Sequence, residues 1–187
     1  MQHLPAMKLV RATFLGALAP SILFVACAVG WNHTSDATLE QIFAKHEPEF
    51  EALLAGVQAD SQLMTPQPKS LIYAGHLLEV NSTDFSEMER LGLPRERWLR
   101  YQKQMADLGL KGGVMKGEGA IEFRVDPGSI SNGDSYKGYW YTQTPPGHLR
   151  PSLDGYRIAD QDKDRFGNWA VYKRIKGNWY LYLFVSR

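Results

Sequence analysis

Residues 169–185 read WAVYKRIKGNWYLYLFV. Two runs rich in β-branched and aromatic residues flank Lys176-Gly177, the composition of a β-hairpin rather than of a helix. Trp169, Val171 and Ile175 share one parity along the first run, and Trp179, Leu181, Leu183 and Val185 share it along the second. Tyr172, Arg174, Tyr180, Tyr182 and Phe184 form the opposite set. Side chains alternate faces along a strand, and a slip of one residue reverses all of them. The two apolar sets therefore meet on one face only if the loop holds an odd number of residues. This predicts a three- or five-residue turn with Gly177 in the left-handed conformation. One face of the hairpin packs on helices; the other is aromatic, with hydroxyl tips and Arg174.

Working back from the hairpin, residues 144–156 hold three prolines and two glycines and read as a long loop. Residues 136–142 and 120–125 read as strands, and Asp126-Pro127-Gly128 as the turn between them. Gly117-Glu118-Gly119 reads as a hairpin turn. The earlier half is helical in pattern. From Asp36, a candidate N-cap, Leu39, Ile42, Phe43, Phe50, Leu53, Leu54 and Val57 recur at helical spacing, and Pro48 predicts a kink or two short helices. Residues 60–69 read as a linker and 70–80 as one strand. A short helix runs to about Leu91, and a second opens at Pro94 with Trp98, Tyr101, Met105 and Leu108 as its buried stripe, ending at Gly109. Helices first and antiparallel strands after them predict an α+β fold, with N-terminal helices packed on a mainly antiparallel sheet in two layers.

The chain of 187 residues carries a formal charge of +1 and one cysteine. The near balance argues against nucleic acid as a partner, because that affinity needs concentrated Lys and Arg. A single cysteine excludes an internal disulfide framework and any multi-cysteine metal site. Twenty uncharged residues run from Ala12 to Trp31, preceded by Lys8 and Arg11, with no acidic residue before Asp36. A basic segment followed by an apolar one is the pattern of an export signal. Met7 gives a more usual start for such a signal than Met1.

Cys27 closes this run. Leu23-Phe24-Val25-Ala26-Cys27 resembles the lipobox of bacterial lipoproteins, with Phe24 standing where that family prefers leucine. The resemblance implies cleavage before Cys27, a diacylglycerol on its thiol, and the two-chain membrane anchoring that one acyl chain cannot supply. Ala28, in place of aspartate, implies the outer membrane, with the domain facing the periplasm. Ala26-Cys27-Ala28 also fits ordinary signal cleavage and a soluble secreted product, and twenty apolar residues can span a bilayer uncleaved. The resulting organisation is 1–27 as signal and lipidation segment, 28–37 as tether, and 38–187 as one globular domain. Loss of residues 1–26 removes Lys8 and Arg11 and no acid, which moves the net charge to −1.

Motifs for nucleotide binding, zinc proteolysis and serine hydrolysis are absent. Asp160, Asp162 and Asp164 alternate like the start of a calcium loop, but Arg165 and Val171 stand where such a loop needs glycine and glutamate. No cofactor is expected. His148, with Ser152 and Asp154 nearby and His76 and Glu79 further off, is the candidate centre of a small periplasmic hydrolase. The stronger signal is aromatic: Tyr136, Tyr139, Trp140 and Tyr141 on one strand, Tyr172, Tyr180 and Tyr182 on the hairpin. Tyrosine and tryptophan bury large areas while keeping a polar tip, which suits interfaces and sugar stacking. The expected function is therefore a non-enzymatic envelope module of immunity or inhibitor type. It would bind another envelope or secreted protein through Tyr172, Arg174, Tyr180, Tyr182 and His148. Glycan or peptidoglycan binding is the alternative to it and to the hydrolase. Replacing Cys27 by serine is expected to abolish incorporation of labelled fatty acid into the chain. Undiminished label in Cys27→Ser would overturn the lipidation reading.

Overall fold

Ser35, not Asp36, starts the first helix. Its backbone is extended at φ −63° and ψ 152°, and its hydroxyl accepts the Thr38 N–H at 3.3 Å. The computed structural model describes residues 33–67, 70–73, 75–79, 85–130, 133–156 and 169–185. Helix α1 spans Asp36–Ala59 and breaks at His46 (φ −120°, ψ 22°), two residues before Pro48, as the missing proline N–H requires. Its buried apolar residues Leu39, Phe43, Phe50, Leu53, Leu54 and Val57 belong to the predicted stripe, whose remaining member, Ile42, is partly buried against the core; Asp36 is buried as well. Residues 33 and 34, expected to be part of a tether, are bonded to the sheet: His33 Nε2 lies 3.0 Å from Ser135 Oγ and the Thr34 amide donates to Asp126 at 2.6 Å.

The predicted linker and single strand are instead a three-stranded antiparallel meander of β1 (Leu63–Pro66), β2 (Ser70–Tyr73) and β3 (His76–Glu79). Gly75, at φ +80°, turns the chain between the paired Tyr73 and His76. Leu71 then sits opposite Leu78, both buried, which explains why residues 70–80 do not alternate as one strand would. Helix α2 (Ser86–Arg90) is followed by α3 (Arg95–Asp107), which opens after Pro94 and ends before Gly109 at φ +68°.

The main sheet has five antiparallel strands in the order β4-β5-β6-β8-β7. They are β4 (Gly113–Gly117), β5 (Ala120–Ile130), β6 (Gly133–Thr142), β7 (Trp169–Lys176) and β8 (Trp179–Val185). Glu118 and Gly119 form the β4–β5 turn as expected. Asp126-Pro127-Gly128 is not a turn. Strand β5 runs through it to pair Ile130 with Gly133, after a bulge between Arg124 and Asp126. Proline is tolerated in sheets near such irregularities. The hairpin of residues 169–185 keeps the predicted faces by another device. Only Gly177 (φ +55°) and Asn178 join the strands, and a bulge between Arg174 and Lys176 supplies the odd residue.

One face of this sheet receives α1. Phe50 meets Tyr139 edge-on at 4.6 Å between ring centroids, and Phe43 and Phe123 lie 5.2 Å and 5.1 Å from Trp179. The polar tips of these rings are satisfied by the helix itself. The Tyr139 hydroxyl donates to the Leu39 carbonyl at 2.9 Å, and Trp179 Nε1 to Glu51 at 2.7 Å. The result is the two-layer α+β architecture.

Gly138 makes the β5 bulge possible. A Cβ there would stand 2.0 Å from the Phe123 carbonyl oxygen and 3.0 Å from the Val125 nitrogen, both rigid backbone. Gly138→Ala is expected to lower stability by about 2 kcal/mol or more, read from the urea midpoint. Gly147→Ala, where a Cβ meets nothing within 4 Å, is the control and should shift stability by less than about 0.5 kcal/mol.

Candidate functional site

Strand β6 places Tyr136, Gly138 and Trp140 on the face away from α1, and Lys137 and Tyr139 on the face beneath it. The alternation puts an ammonium group inside the protein: Lys137 is only 2% exposed. A buried charge is tolerated only when paired and hydrogen-bonded. Lys137 Nζ lies 2.8 Å from Asp36 Oδ1 and 2.7 Å from Asp154 Oδ1. The other Asp36 oxygen accepts the Leu153 N–H at 2.7 Å and the Ser152 hydroxyl at 3.0 Å. Asp154 in turn accepts the Asp36 backbone N–H. Lys173 of β7 reaches Glu40 at 2.7 Å and Asp36 at 3.6 Å. Burial works against the charged form of Asp36, but the Lys137 ammonium and the Leu153 and Ser152 donors outweigh it and hold the carboxyl below its ordinary pKa.

This network engages two of the proposed hydrolase residues. The Ser152 hydroxyl is directed at Asp36, and the Asp154 carboxylate at Lys137. His148 lies at φ +53°, and its carbonyl accepts the Tyr172 N–H at 3.3 Å, while the Arg150 N–H donates to the Tyr172 carbonyl at 2.7 Å. The 144–156 loop thus covers part of the outer edge of β7, which limits edge-to-edge pairing. His76 and Glu79 are paired in β3 with Tyr73 and Ser70. Cys27 and the candidate metal ligands Asp160, Asp162 and Asp164 lie outside the described residues. Among the described residues no group of three His, Cys, Asp or Glu side chains is arranged to hold a metal ion.

The second face of the sheet carries the aromatic residues singled out from the hairpin. Glu122, Trp140, Tyr180 and Arg174 are cross-strand neighbours in one row, and Arg124, Gly138, Tyr182 and Tyr172 in the next. Tyr136 and Phe184 stack beside them at 6.2 Å. Trp140 lies 5.5 Å from Tyr172 and 5.7 Å from Tyr182. Gly138 has no side chain opposite Tyr182, whose hydroxyl reaches to 3.5 Å from Glu122 Oε2. Arg124 donates to the same carboxylate at 2.8 Å and lies over the Tyr136 ring at 4.2 Å.

The four hairpin residues named from sequence differ in access. Tyr180 and Tyr182 are buried, at 2% and 1% exposure, and lie outside the main apolar core. Arg174 is exposed, and Tyr172, Trp140, Tyr136 and Phe184 are half-buried. Burial raises the Glu122 pKa despite the opposing charge of Arg124, and burial with the Glu122 charge pushes the Tyr172 hydroxyl up to about 12. Glu122, Arg124 and Lys137 escaped the sequence reading, although their period-two placement beside Phe123 and Tyr139 assigns each a face.

Comparison of the chain with protein-family models, curated proteins and solved structures gives no match.

Lys137→Met takes from buried Asp36 its closest counter-ion, leaving only Lys173 at 3.6 Å, and is expected to cost about 3 kcal/mol in urea unfolding at neutral pH. Adding Asp36→Asn should recover part of that loss, because the stranded charge goes with it. The pH dependence has a definite sign. A carboxyl with a lowered folded-state pKa gives its full stabilisation above the unfolded value, about 4, and loses it as pH falls through the folded value. Asp36→Asn should therefore flatten the decline of the urea midpoint below about pH 5. An unchanged acid limb would overturn the assignment.

Proposed function

We propose that this chain is an exported envelope lipoprotein, anchored through Cys27, whose domain binds another envelope or secreted protein without catalysing a reaction. One observation carries the reading: the sheet face opposite α1 holds a contiguous set of Tyr, Trp and Arg side chains separate from the main core. Tyr172, Trp140, Tyr136 and Phe184 are partly open there, and Arg174 is exposed. A surface of this kind combines large contact area with polar tips, the composition of interface centres. Buried Tyr180 and Tyr182 act as a rigid base beneath the open residues, so that little side-chain freedom is lost on contact. The bonds of Ser152 and Asp154 to Asp36 and Lys137 favour binding over a hydrolytic role for the 144–156 loop.

A photocrosslinking residue at position 174 of the full exported chain is expected to form one defined protein adduct in intact cells. The same residue at Lys103, exposed on α3, should not form it. Loss of the 174 adduct on Tyr172→Ala, with an unchanged thermal midpoint, would support the face. Equal adducts from both positions, or none from 174, would overturn it.

A further inference from the structure

A second concave site lies away from the sheet face, between α1 and α3. The helices approach closely at Gly56, where a Cβ would stand 3.2 Å from Tyr101 Cε1, and the Tyr101 hydroxyl donates to the Gly56 carbonyl at 3.0 Å. This contact forms the floor of a cleft of about 470 Å³. Ala52 and Gly56 make its α1 wall, and Arg97, Arg100 and Gln104, one helical turn after another, make its α3 wall. Arg97 is engaged at one end with the buried Asp60 carboxylate at 3.5 Å. Arg100 is exposed and has no ion-pair or hydrogen-bond partner among the described residues, although Glu96 precedes it by one turn. Neutralising Arg97 against Asp60 leaves the cleft with one uncompensated positive charge.

The geometry points to a binding site for an organic monoanion with a small apolar body, in which Arg100 takes the carboxylate or phosphodiester and Gln104 supplies an amide hydrogen bond. The guanidinium fork matches two oxygens of such a group. The alanine and glycine wall and the Tyr101 ring suit a flat or narrow apolar moiety. The volume falls in the range of small-ligand sites, of order 300–1,000 Å³. A second full negative charge would have no counter-charge, since Asp60 already occupies Arg97.

The test uses the full chain in non-ionic detergent and ligand-observed NMR titration. Benzoate is the probe, with benzyl alcohol as its uncharged counterpart and inorganic phosphate as an anion without an apolar body. Saturable benzoate binding is expected, weakened about tenfold or more by Arg100→Met, which keeps the stem and removes the charge. Ala52→Trp fills the cleft while keeping both arginines in the chain and should abolish binding. Both positions are exposed, and an unchanged thermal midpoint shows that the variants fold. Three results would overturn the site: benzoate binding indifferent to both substitutions, benzyl alcohol binding as tightly as benzoate, or no saturable benzoate binding. Phosphate binding more tightly than benzoate would overturn the assignment of an apolar body. Dimethyl phosphate, tested beside benzoate, separates the two monoanion sources: the tighter binder identifies the headgroup.

Discussion

Lys137 carries an ammonium group into a part of the protein that water scarcely reaches, and the surrounding elements are arranged to meet that demand. Removing such a charge from water costs several kcal/mol, and only close partners offset it. Its partners are Asp36 from the first turn of α1 and Asp154 from the 144–156 loop; around Asp36 the network is completed by Ser152 of the same loop and by Lys173 of β7, itself paired with Glu40 of the next helical turn. Each brings a backbone segment with it. The N-terminus of α1 is thereby pinned over β6, and the loop is pinned to the N-terminus. Asp36 also sits where the helix dipole favours a negative charge, so local and tertiary effects agree. The aromatic cluster of Phe43, Phe50, Phe123, Tyr139 and Trp179 lies at the contact between helix and sheet. Burial of that kind is nearly non-directional. The lysine network, with the Tyr139–Leu39 and Trp179–Glu51 hydrogen bonds, selects one position of the helix among those that would bury similar area.

How much of this is legible in the sequence depends on whether a feature is local. The stripe of α1, the kink before Pro48, the end of α3 at Gly109 and the two faces of residues 169–185 follow from spacing and from the conformational limits of proline and glycine. The register of the hairpin was legible as a parity, but not its mechanism. A bulge and a longer turn both insert one residue, and the choice is made by pairing with β6 on the far side of β8. The strand through Asp126-Pro127-Gly128 misleads for a related reason: local turn preference is overridden by ten residue pairs with β6 and by a bulge whose enabling residue, Gly138, lies on the partner strand. Residues 70–80 failed to alternate because a glycine at positive φ divides them into a hairpin. That signal was present in Gly75.

The site was less legible than the fold. Lys137 shares parity with Tyr139 and so belonged to the inner face, but charged residues are almost never fully buried unless paired, and the pairing residues lie 101 and 17 positions away. Ser152 and Asp154 are polar residues near a histidine in a loop, which reads as chemistry from composition alone. Only their partners show the bonds they make. The Glu122–Arg124 pair is similar, since two charges on one strand face read as solvated until Tyr182, Trp140 and Tyr136 are brought across from β8 and β6.

These polar groups divide the molecule by how firmly each region is held. Where α1 meets the sheet, each charge and ring tip named above has a partner, and a change of shape there would strand a buried ion. On the opposite sheet face Tyr180 and Tyr182 are equally buried, yet their neighbours Tyr172, Trp140 and Phe184 keep an open side and Arg174 projects beyond them. Between α1 and α3, beside the close approach of Gly56 to the Tyr101 ring, lies a cleft with an arginine that no described residue neutralises. Binding draws on regions like the last two, because a group already satisfied within its own chain gains little from a ligand, whereas a half-open ring or an unpaired guanidinium gains a partner without losing one. The firmly bonded layer then has a role beyond stability. By holding β6, β8 and β7 in one register against α1, it fixes the spacing of the open side chains on the other face and so preforms that surface.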